Sequence, residues 1–276
     1  MSRANAVPVL MYHHVSPNPG LVTVSPQNFE LQMQMLVNKG YSTLTADQFA
    51  GFLQGLSDVP ARSVLITFDD GYLDNYVYAF PIMQRLGLHG VIFVVTRWMG
   101  EGAPRPRAGE TDGAALPDCP DHKRCNEAIA SGKADDVMLR WSEIERMQAS
   151  GCIETHSHSH SHVRWDKLFA DKHERLAALE EDLRRSREAL HGRRGGSNAH
   201  LCWPWGYFEP EYQAIASKLG FTTQYGVSKG LNRVGDDPMH IHRMVVKNRA
   251  GSWLSSRLWI YRQPWVGGLY LKLRGR

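Results

Sequence analysis

The sequence predicts an α/β protein in which parallel strands and helices form a distorted (β/α) barrel. Short apolar segments rich in β-branched residues alternate with amphipathic segments along most of the chain, which is typical of a parallel sheet covered by helices. A chain of 276 residues, 42% of them hydrophobic, is long enough to bury one large core. No apolar run approaches the length needed to cross a bilayer.

The individual elements follow from local patterns. Apolar and β-branched runs predict strands over 7–12, 64–68, 91–96, 152–155, 199–203, 221–226 and 240–246. Apolar residues at helical spacing predict helices over 25–40, 45–55, 73–86, 142–149, 166–191 and 209–219. Thr45 and Gln48 form a capping box at the start of the second helix, and Gly87 ends the third.

Residues 97–137 interrupt this alternation. The segment contains glycine, proline and charged residues without periodicity, which predicts a long insertion loop within a catalytic domain of residues 1–250. Cys119 and Cys125 flank His122 there, but a fourth zinc ligand is not apparent. The four cysteines of the chain fit reduced thiols better than a disulfide framework.

Charge is distributed unevenly along the chain. The formal net charge is +4, yet residues 238–276 contain eight lysines and arginines and no acidic residue. The remaining 24 basic and 28 acidic groups give the first 237 residues a net charge of −4. We therefore expect no nucleic-acid partner.

In such folds the chemistry lies at the carboxyl ends of the strands. After the strand at 64–68, Asp69 and Asp70 leave the sheet together, and Gly71 permits a sharp turn. Two adjacent carboxylates do not both ionise easily unless a cation lies beside them. One carboxylate on a metal and the other acting as a base would resolve that conflict. A turn in which the aspartates only cap the next helix is the alternative.

Four histidines alternate with serines after the strand at 152–155. In a helical turn, His156 and His160 share one face, and His158 and His162 share another. Two imidazoles and one carboxylate, with other positions open to water and substrate, form the kind of site that hydrolytic metals need. A strand that ends near Thr155 favours such a turn, so the ligands would be one of two competing pairs, His156 with His160 or His158 with His162. A polar loop without function is the alternative.

Aromatic residues also lie at a third strand exit, the carboxyl end of the strand at 199–203. Trp203, Trp205 and Tyr207 surround a loop shaped by Pro204 and Gly206. Their rings offer flat faces to a sugar, and the loop N–H groups can face a substrate oxygen. Packing in the core is the more frequent role of tryptophan, so that alternative stays open.

These three exits resemble the first three motifs of the NodB-type polysaccharide deacetylases (carbohydrate esterase family four). The resemblance covers most of residues 7–248. The residues that carry it are Thr67-Phe68-Asp69-Asp70-Gly71-Tyr72, the pair His156 and His160, and Trp203-Pro204-Trp205-Gly206. It implies a metal-dependent hydrolase that removes N-acetyl groups from an amino sugar.

The resemblance also implies roles for single residues. Asp69 would be the general base, and Asp70, His156 and His160 would bind a divalent metal, zinc before nickel, cobalt or manganese. The backbone near Trp205 would stabilise the oxyanion.

Two departures from the family pattern point to one branch of it. The third motif usually begins with arginine, where this chain has Cys202, and no clear acid motif follows near the C-terminus. Both features resemble the poly-N-acetylglucosamine deacetylases, whose motifs are circularly permuted. In that branch an N-terminal Tyr-His segment supplies the general acid, which here would be His13. Arg243 would replace the missing arginine in orienting Asp69.

Residues 251–276 form a basic, aromatic tail. Such a segment is typical of a membrane-surface binder, and a C-terminal helix packed on the barrel is the alternative. Peripheral membrane contact would favour a lipid-linked saccharide, such as a lipopolysaccharide precursor, over another cell-envelope glycan. The N-terminus shows no signal peptide, so we expect a cytoplasmic protein, in contact with the inner membrane if the tail binds it.

Other functions fit the same residues. The chain could be a non-catalytic carbohydrate-binding or metal-binding relative, although retention of Asp69, Asp70 and the histidines argues against this. A deformylase or an O-deacetylase would use the same site.

Overall fold

The structure is a computed structural model that describes residues 3–110, 115–191, 193 and 199–274. Its ten described strands are β1 (Val9–Tyr12), β2 (His14–Val15), β3 (Thr23–Val24), β4 (Ser42–Thr43), β5 (Ser63–Phe68), β6 (Gly90–Val94), β7 (Ile153–Ser157), β8 (His200–Cys202), β9 (Thr223–Tyr225) and β10 (Met244–Val245). Its helices are α1 (Pro26–Asn38), α2 (Ala46–Leu53), α3 (Phe80–Arg85), α4 (His122–Ala130), α5 (Trp141–Ala149), α6 (Trp165–Leu168), α7 (Lys172–His191), α8 (Pro210–Lys218), α9 (Gly251–Tyr261) and α10 (Pro264–Arg274).

Eight strands form one parallel sheet. Their order is β10-β1-β5-β6-β7-β8-β9, with β4 paired to the start of β5. An isolated bridge between Tyr225 and Ile241 brings the segment before β10 against β9, so the two ends of the sheet approach each other. The sheet is therefore a curled half-barrel, and the predicted distorted α/β barrel is confirmed.

The hydrophobic core has an inner and an outer layer. Successive residues of a strand face opposite sides of the sheet, so Leu65 belongs to one buried cluster, and Val64 and Ile66 to another. Strands buried on both faces read as continuous apolar runs, which is why β5 and β6 were the clearest sequence signals.

The C-terminal segment is helical and partly packed on the barrel. Leu254 and Leu258 of α9 are fully buried in the same cluster as Phe29 and Met33 of α1. Helix α10 keeps more of its surface in solvent. None of the described helices is long and apolar enough to span a membrane.

Several predicted boundaries were wrong. The strand at 152–155 runs on to Ser157, and the strand at 240–246 is only Met244–Val245. The insertion at 97–137 is not a plain loop, because it contains α4 and is held by Arg105, which donates hydrogen bonds to both carboxylate oxygens of Glu143 at 2.8 Å. The part of the insertion at 111–114 lies outside the described residues.

Candidate functional site

Two buried aspartates open the site at the carboxyl end of β5. Asp69 and Asp70 are 2% and 4% exposed. Asp70 has a φ of 72° and Gly71 a φ of 85°, so the chain turns sharply as the sequence predicts. A Cβ atom at Gly71 would lie 3.0 Å from Cγ1 of Val94, which leaves little room for a side chain there. The turn fixes the two carboxylates in different directions.

Asp69 faces Arg243 inside the barrel. The guanidinium donates to both carboxylate oxygens, from Nη1 at 2.6 Å and from Nη2 at 2.8 Å. Its Nε donates to the carbonyl of Gly226 at 2.7 Å, and Nη2 lies 3.1 Å from Sγ of Cys202. Burial raises the pKa of Asp69, but the charges of Arg243, His13 and His158, together with the Arg243 hydrogen bonds, outweigh burial and hold that pKa below its ordinary value. The predicted contact of Arg243 with Asp69 is present.

Asp70 faces two imidazoles, and they are not the predicted pair. Its Oδ1 lies 3.2 Å from Nε2 of His158 and 3.4 Å from Nε2 of His162. The rings of His158 and His162 are 5.0 Å apart. The described residues form two groups with the spacing of a metal site, and neither contains His156 or His160. The structure therefore brings the competing pair, His158 and His162, to Asp70 instead of the expected His156 and His160.

The position of the two histidine pairs has a simple physical cause. Strand β7 continues through Ser157, which pairs with Val94 on β6 and with Leu201 on β8. His156 is therefore still inside the sheet, and His158 is the first residue beyond it. A reversal at Ser159, with a φ of 66°, then returns His162 to the side of His158.

His156 and His160 have other surroundings. The His156 ring lies in the barrel interior, 4.6 Å from the ring of His200 and 3.3 Å from Oε2 of Glu154. His160 is half-buried, and its Nδ1 lies 2.9 Å from the hydroxyl of Thr96. Neither side chain lines the cavity above Asp70.

Asp182 of α7 anchors the histidine loop, a role that the sequence interpretation missed. Its buried carboxylate accepts hydrogen bonds from the backbone N–H of His160 at 3.1 Å and of Ser161 at 3.0 Å, and from the Ser161 hydroxyl. A signal was present, because Asp182 lies on the apolar side of the helix with Leu179 and Leu183. An acid on a buried face is expected to have a specific partner.

The geometry around Asp70 fits a divalent cation. Its Oδ1 is buried and accepts no hydrogen bond from any described residue, while two imidazole nitrogens face it. Nδ1 of His158 lies 2.8 Å from the Cys202 carbonyl, which favours the tautomer whose Nε2 lone pair points toward Asp70. One carboxylate and two imidazoles form an open ligand set.

The second group is a poorer candidate for a metal. It combines Asp69, His158 and Cys202. Arg243 already neutralises Asp69, and burial raises the pKa of the Cys202 thiol, so the thiolate is disfavoured. The Cys119, His122 and Cys125 segment is not among the groups with metal-site spacing in the described residues.

A cavity of about 450 Å³ opens above the aspartates. Trp98, Trp203 and Trp205 contribute to its wall. Trp203 is 1% exposed and mainly a core residue, whereas Trp205 is 63% exposed and lies 5.2 Å from the His162 ring. Tyr207 does not line this cavity, because its ring packs under the Arg164 guanidinium. The predicted aromatic set is thus only partly at the site.

Three histidines from other segments lie at or near the cavity. Nε2 of His13, the expected general acid, lies 3.8 Å from Oδ2 of Asp69. His122, from the insertion, also lines the cavity. Its Nδ1 is 3.1 Å from Nε2 of His14, whose Nδ1 is 2.6 Å from Oδ2 of Asp74. His122 lies in a segment without periodicity, so no local pattern predicts its place at the cavity.

Unusual backbone conformations are concentrated at this cavity. Among the described residues, five residues other than glycine have positive φ: Val22, Asp70, Ser159, His162 and Trp205. All but Ser159 line the cavity. Such conformations cost of the order of 1–3 kcal/mol each and collect where a fixed geometry is required. The site is therefore held by its surroundings in a geometry that the chain would not adopt alone.

Comparisons with known sequences agree on one family. A sequence profile described as polysaccharide deacetylase matches residues 57–224. YxkH of Bacillus subtilis (strain 168), a protein named for polysaccharide deacetylation, is 38% identical over 94 residues, which is 34% of this chain and 33% of YxkH. The poly-beta-1,6-N-acetyl-D-glucosamine N-deacetylase of Staphylococcus aureus (strain MRSA252) is 21% identical over 239 residues, covering 85% of this chain and 71% of that protein.

Solved structures with the same fold cover nearly the whole chain. IcaB from Ammonifex degensii has a TM-score of 0.69 and 24% identity, with 93% of this chain and 97% of that chain covered. The Streptococcus pyogenes deacetylase PplD in complex with acetate has a TM-score of 0.71 and 18% identity, with 95% and 100% covered. At these identities the likeness shows the fold.

Proposed function

The chain belongs to the polysaccharide deacetylase family, as its sequence motifs predict, and from this premise we propose that it is a metal-dependent hydrolase that removes N-acetyl groups from an amino sugar. One observation carries the proposal. A buried carboxylate oxygen of Asp70 faces Nε2 of His158 at 3.2 Å and Nε2 of His162 at 3.4 Å, at the base of an aromatic-walled cavity.

Asp70, His158 and His162 would hold the divalent metal, in place of the set that includes His156 and His160. Such an ion supplies Lewis acidity and lowers the pKa of water. Zinc suits two imidazoles and one carboxylate, and nickel, cobalt and manganese are alternatives. The Asp182 hydrogen bonds to the loop backbone keep the two imidazoles in position.

Asp69 accepts the proton of the attacking water. Its pairing with Arg243 keeps the carboxylate ionised at neutral pH and also makes it a weak base. A weak base needs a more acidic water, and a divalent ion held by Asp70, His158 and His162 would supply that acidity. The fixed bidentate geometry directs the carboxylate toward the cavity and prevents it from becoming a second ligand.

His13 donates a proton to the leaving amine. Burial lowers the pKa of His13, while the charges of Asp69 and Asp70 oppose that shift. A protonated imidazole with a lowered pKa releases its proton readily, which suits a general acid. Its place beside Asp69 puts the proton acceptor and the proton donor on one side of the cavity.

The loop after β8 is a source of oxyanion stabilisation. The N–H groups of Gly206 and Tyr207 already donate to the carbonyls of Trp203 and Pro204. No backbone acceptor among the described residues is found for the Trp205 N–H, and Trp205 itself lines the cavity. This N–H would donate to the developing oxyanion. The exposed Trp205 ring then offers a face to the sugar.

A cell-envelope glycan with N-acetylhexosamine is the substrate class that we propose. The Staphylococcus aureus relative named for poly-beta-1,6-N-acetyl-D-glucosamine favours a glycan of that kind. A lipid-linked saccharide, such as a lipopolysaccharide precursor, is the second form of the same proposal. It is supported by the basic tail and by exposed Trp265, Leu269 and Leu273 on α10.

We propose that residues 251–276 contact a membrane peripherally and that the protein works on the cytoplasmic side of the inner membrane. The described cysteines are all free thiols, which is consistent with a reducing compartment. Fractionation of cells that express the tagged full-length protein tests this location. Recovery of the protein only from the external medium would contradict it.

Acetate release tests the enzymatic proposal. The purified protein should release acetate from N-acetylated glycans or glycolipids, lose this activity on chelation, and regain it with a divalent metal. A panel with N-formyl and O-acetyl substrates separates deacetylation of the amide from the related hydrolyses. Glycan binding without any acyl release would favour the non-catalytic alternative.

A further inference from the structure

A second, larger cavity lies between β10 and the C-terminal helices α9 and α10. Its volume is about 660 Å³, against about 450 Å³ for the catalytic cavity. The two cavities share no lining residue, although they are neighbours along the chain. Val227 lines the first and Lys229 the second, and Met244 of the second follows Arg243, which holds Asp69. The second cavity is therefore separate from the catalytic site but close to it.

The second cavity is strongly basic. Its lining includes four cations and no carboxylate within the described part of the chain; the cations are Lys229, Lys247, Arg249 and Arg257. Residues 238–276, which supply three of the four cations, contain no acidic residue. Several like charges around one cavity repel each other, and a bound anion relieves that repulsion.

Arg257 is held in a fixed position inside this cavity. Its Nη1 donates to the Tyr270 hydroxyl at 2.6 Å, and its guanidinium lies 5.3 Å from the centre of the Tyr270 ring. The Nε of Arg257 is buried, and no described residue accepts a hydrogen bond from it. A buried donor without an acceptor is costly, so this guanidinium keeps hydrogen-bonding capacity that a ligand could use. Phosphate oxygens match the fork geometry of arginine.

An exposed apolar stripe runs beside the cavity. Trp265, Leu269 and Leu273 recur every four residues on α10 and are 92%, 63% and 68% exposed. Tyr270 and Leu271 of the same helix line the cavity. Aromatic and aliphatic side chains next to lysine and arginine are typical of helices that lie in the membrane interface. The stripe indicates that the anion belongs to an amphiphile.

We propose that this cavity binds the phosphate group of an anionic membrane lipid while Trp265, Leu269 and Leu273 enter the interface of the bilayer. The proposal rests on the membrane contact proposed for residues 251–276 and gives that contact a headgroup site. It does not depend on the reaction catalysed at Asp69 and Asp70.

Vesicle co-sedimentation of the full chain tests the site. The vesicles contain phosphatidylcholine alone or phosphatidylcholine with phosphatidylglycerol. Lys247→Ala combined with Arg249→Ala should weaken binding to the anionic vesicles by about thirtyfold, since each basic residue near such a surface contributes about fivefold. The matched control combines Lys133→Ala with Lys218→Ala, two exposed lysines that do not line the cavity. It should bind like the unaltered protein.

Each other outcome has a defined meaning. Equal loss in both double variants would show attraction by overall charge and overturn the headgroup site. Calorimetry measures the affinity for inorganic phosphate in solution. An affinity equal to that for the anionic vesicles would identify a site for free phosphate instead of a lipid. If Trp265→Ala with Leu269→Ala abolishes sedimentation but the Lys247 and Arg249 variant does not, membrane contact stands and the headgroup site is refuted. Circular dichroism verifies that each variant is folded.

Discussion

Arg243 and Asp69 form a bidentate ion pair in the interior of the barrel, although 174 residues separate them in the sequence. The pair joins β10, at one end of the sheet, to the exit of β5, across β1. The remaining N–H groups of Arg243 donate to Gly226, Thr67 and Cys202, so the guanidinium is fixed on every side. This pair connects the stability of the barrel with the protonation of its proposed base.

Arg243→Met should destabilise the protein by about 3–5 kcal/mol, because it leaves the Asp69 carboxylate buried without its counter-charge. Urea denaturation at neutral pH measures this loss. The matched control is Arg62→Met, which removes an exposed arginine and should change stability much less. Equal effects of the two substitutions would contradict a structural role for the buried pair.

The stabilisation from this pair should depend on pH in one direction. The folded-state pKa of Asp69 is below its value in the unfolded chain, which is about 3.9. The pair therefore contributes fully above about pH 4 and loses its contribution as the pH falls through the folded-state pKa. The difference in unfolding free energy between the unaltered protein and Arg243→Met should shrink on acidification. A constant difference would exclude this ion pair as its origin.

Asp69→Asn should lower kcat by about 10²–10⁴-fold, because an amide cannot accept the proton of the attacking water. The metal content should stay unchanged, since Asp69 is not a proposed ligand. Acetate release and elemental analysis of the same sample measure both quantities. Asp58→Asn, at an exposed carboxylate, is the control. Near-full activity in Asp69→Asn would remove the general base from the mechanism.

His13→Ala should lower the rate on N-acetyl sugars by about 10²–10⁴-fold and have little effect on an activated aryl acetate. The amine leaving group needs a proton, whereas an aryl oxide leaves without one. Comparing the two substrates separates proton donation from a general disturbance of the cavity. A similar loss on both substrates would show that His13 does not act as the acid.

Asp182→Asn should weaken metal binding by about 10–100-fold, because the loop that carries His158 and His162 loses a charged hydrogen-bond acceptor. Competition with a chromogenic chelator measures this affinity. Glu180→Gln, on the solvent side of the same helix, is the control and should bind metal normally. Unaltered affinity in Asp182→Asn would show that the loop is held by other contacts.

The sequence predicted the features that depend on local patterns. The apolar run of β5 and the glycine after Asp70 placed both carboxylates at a strand exit. The strand exit followed from strand periodicity and the chemistry of buried charge. The expectation that Arg243 contacts Asp69 came from the family resemblance, because this chain has Cys202 where the family's third motif usually begins with arginine.

The histidine register needed tertiary information. The end of β7 reads Thr-His-Ser, polar residues that carry no strand signal of their own. The strand extends to Ser157 because β6 and β8 pair with it on both sides and because the Ser157 hydroxyl bonds that of Ser186 on α7 at 2.7 Å. Those partners are distant in sequence, so a two-residue error in the strand end moved the predicted ligands.

The position of His122 was equally inaccessible. It lies in an insertion without periodicity, and its place at the cavity depends on His14 and Asp74, which come from two other segments. A contact network of this kind is fixed by packing and has no counterpart in local sequence.

Metal content per chain in four single variants tests the central claim most directly. His158→Ala and His162→Ala should each lose most of the bound metal, measured by elemental analysis after dialysis against trace zinc. His156→Ala and His160→Ala should keep about one metal per chain, as expected of a three-ligand site that does not include them. Loss of metal in His156→Ala and His160→Ala, with retention in the other two, would contradict the account.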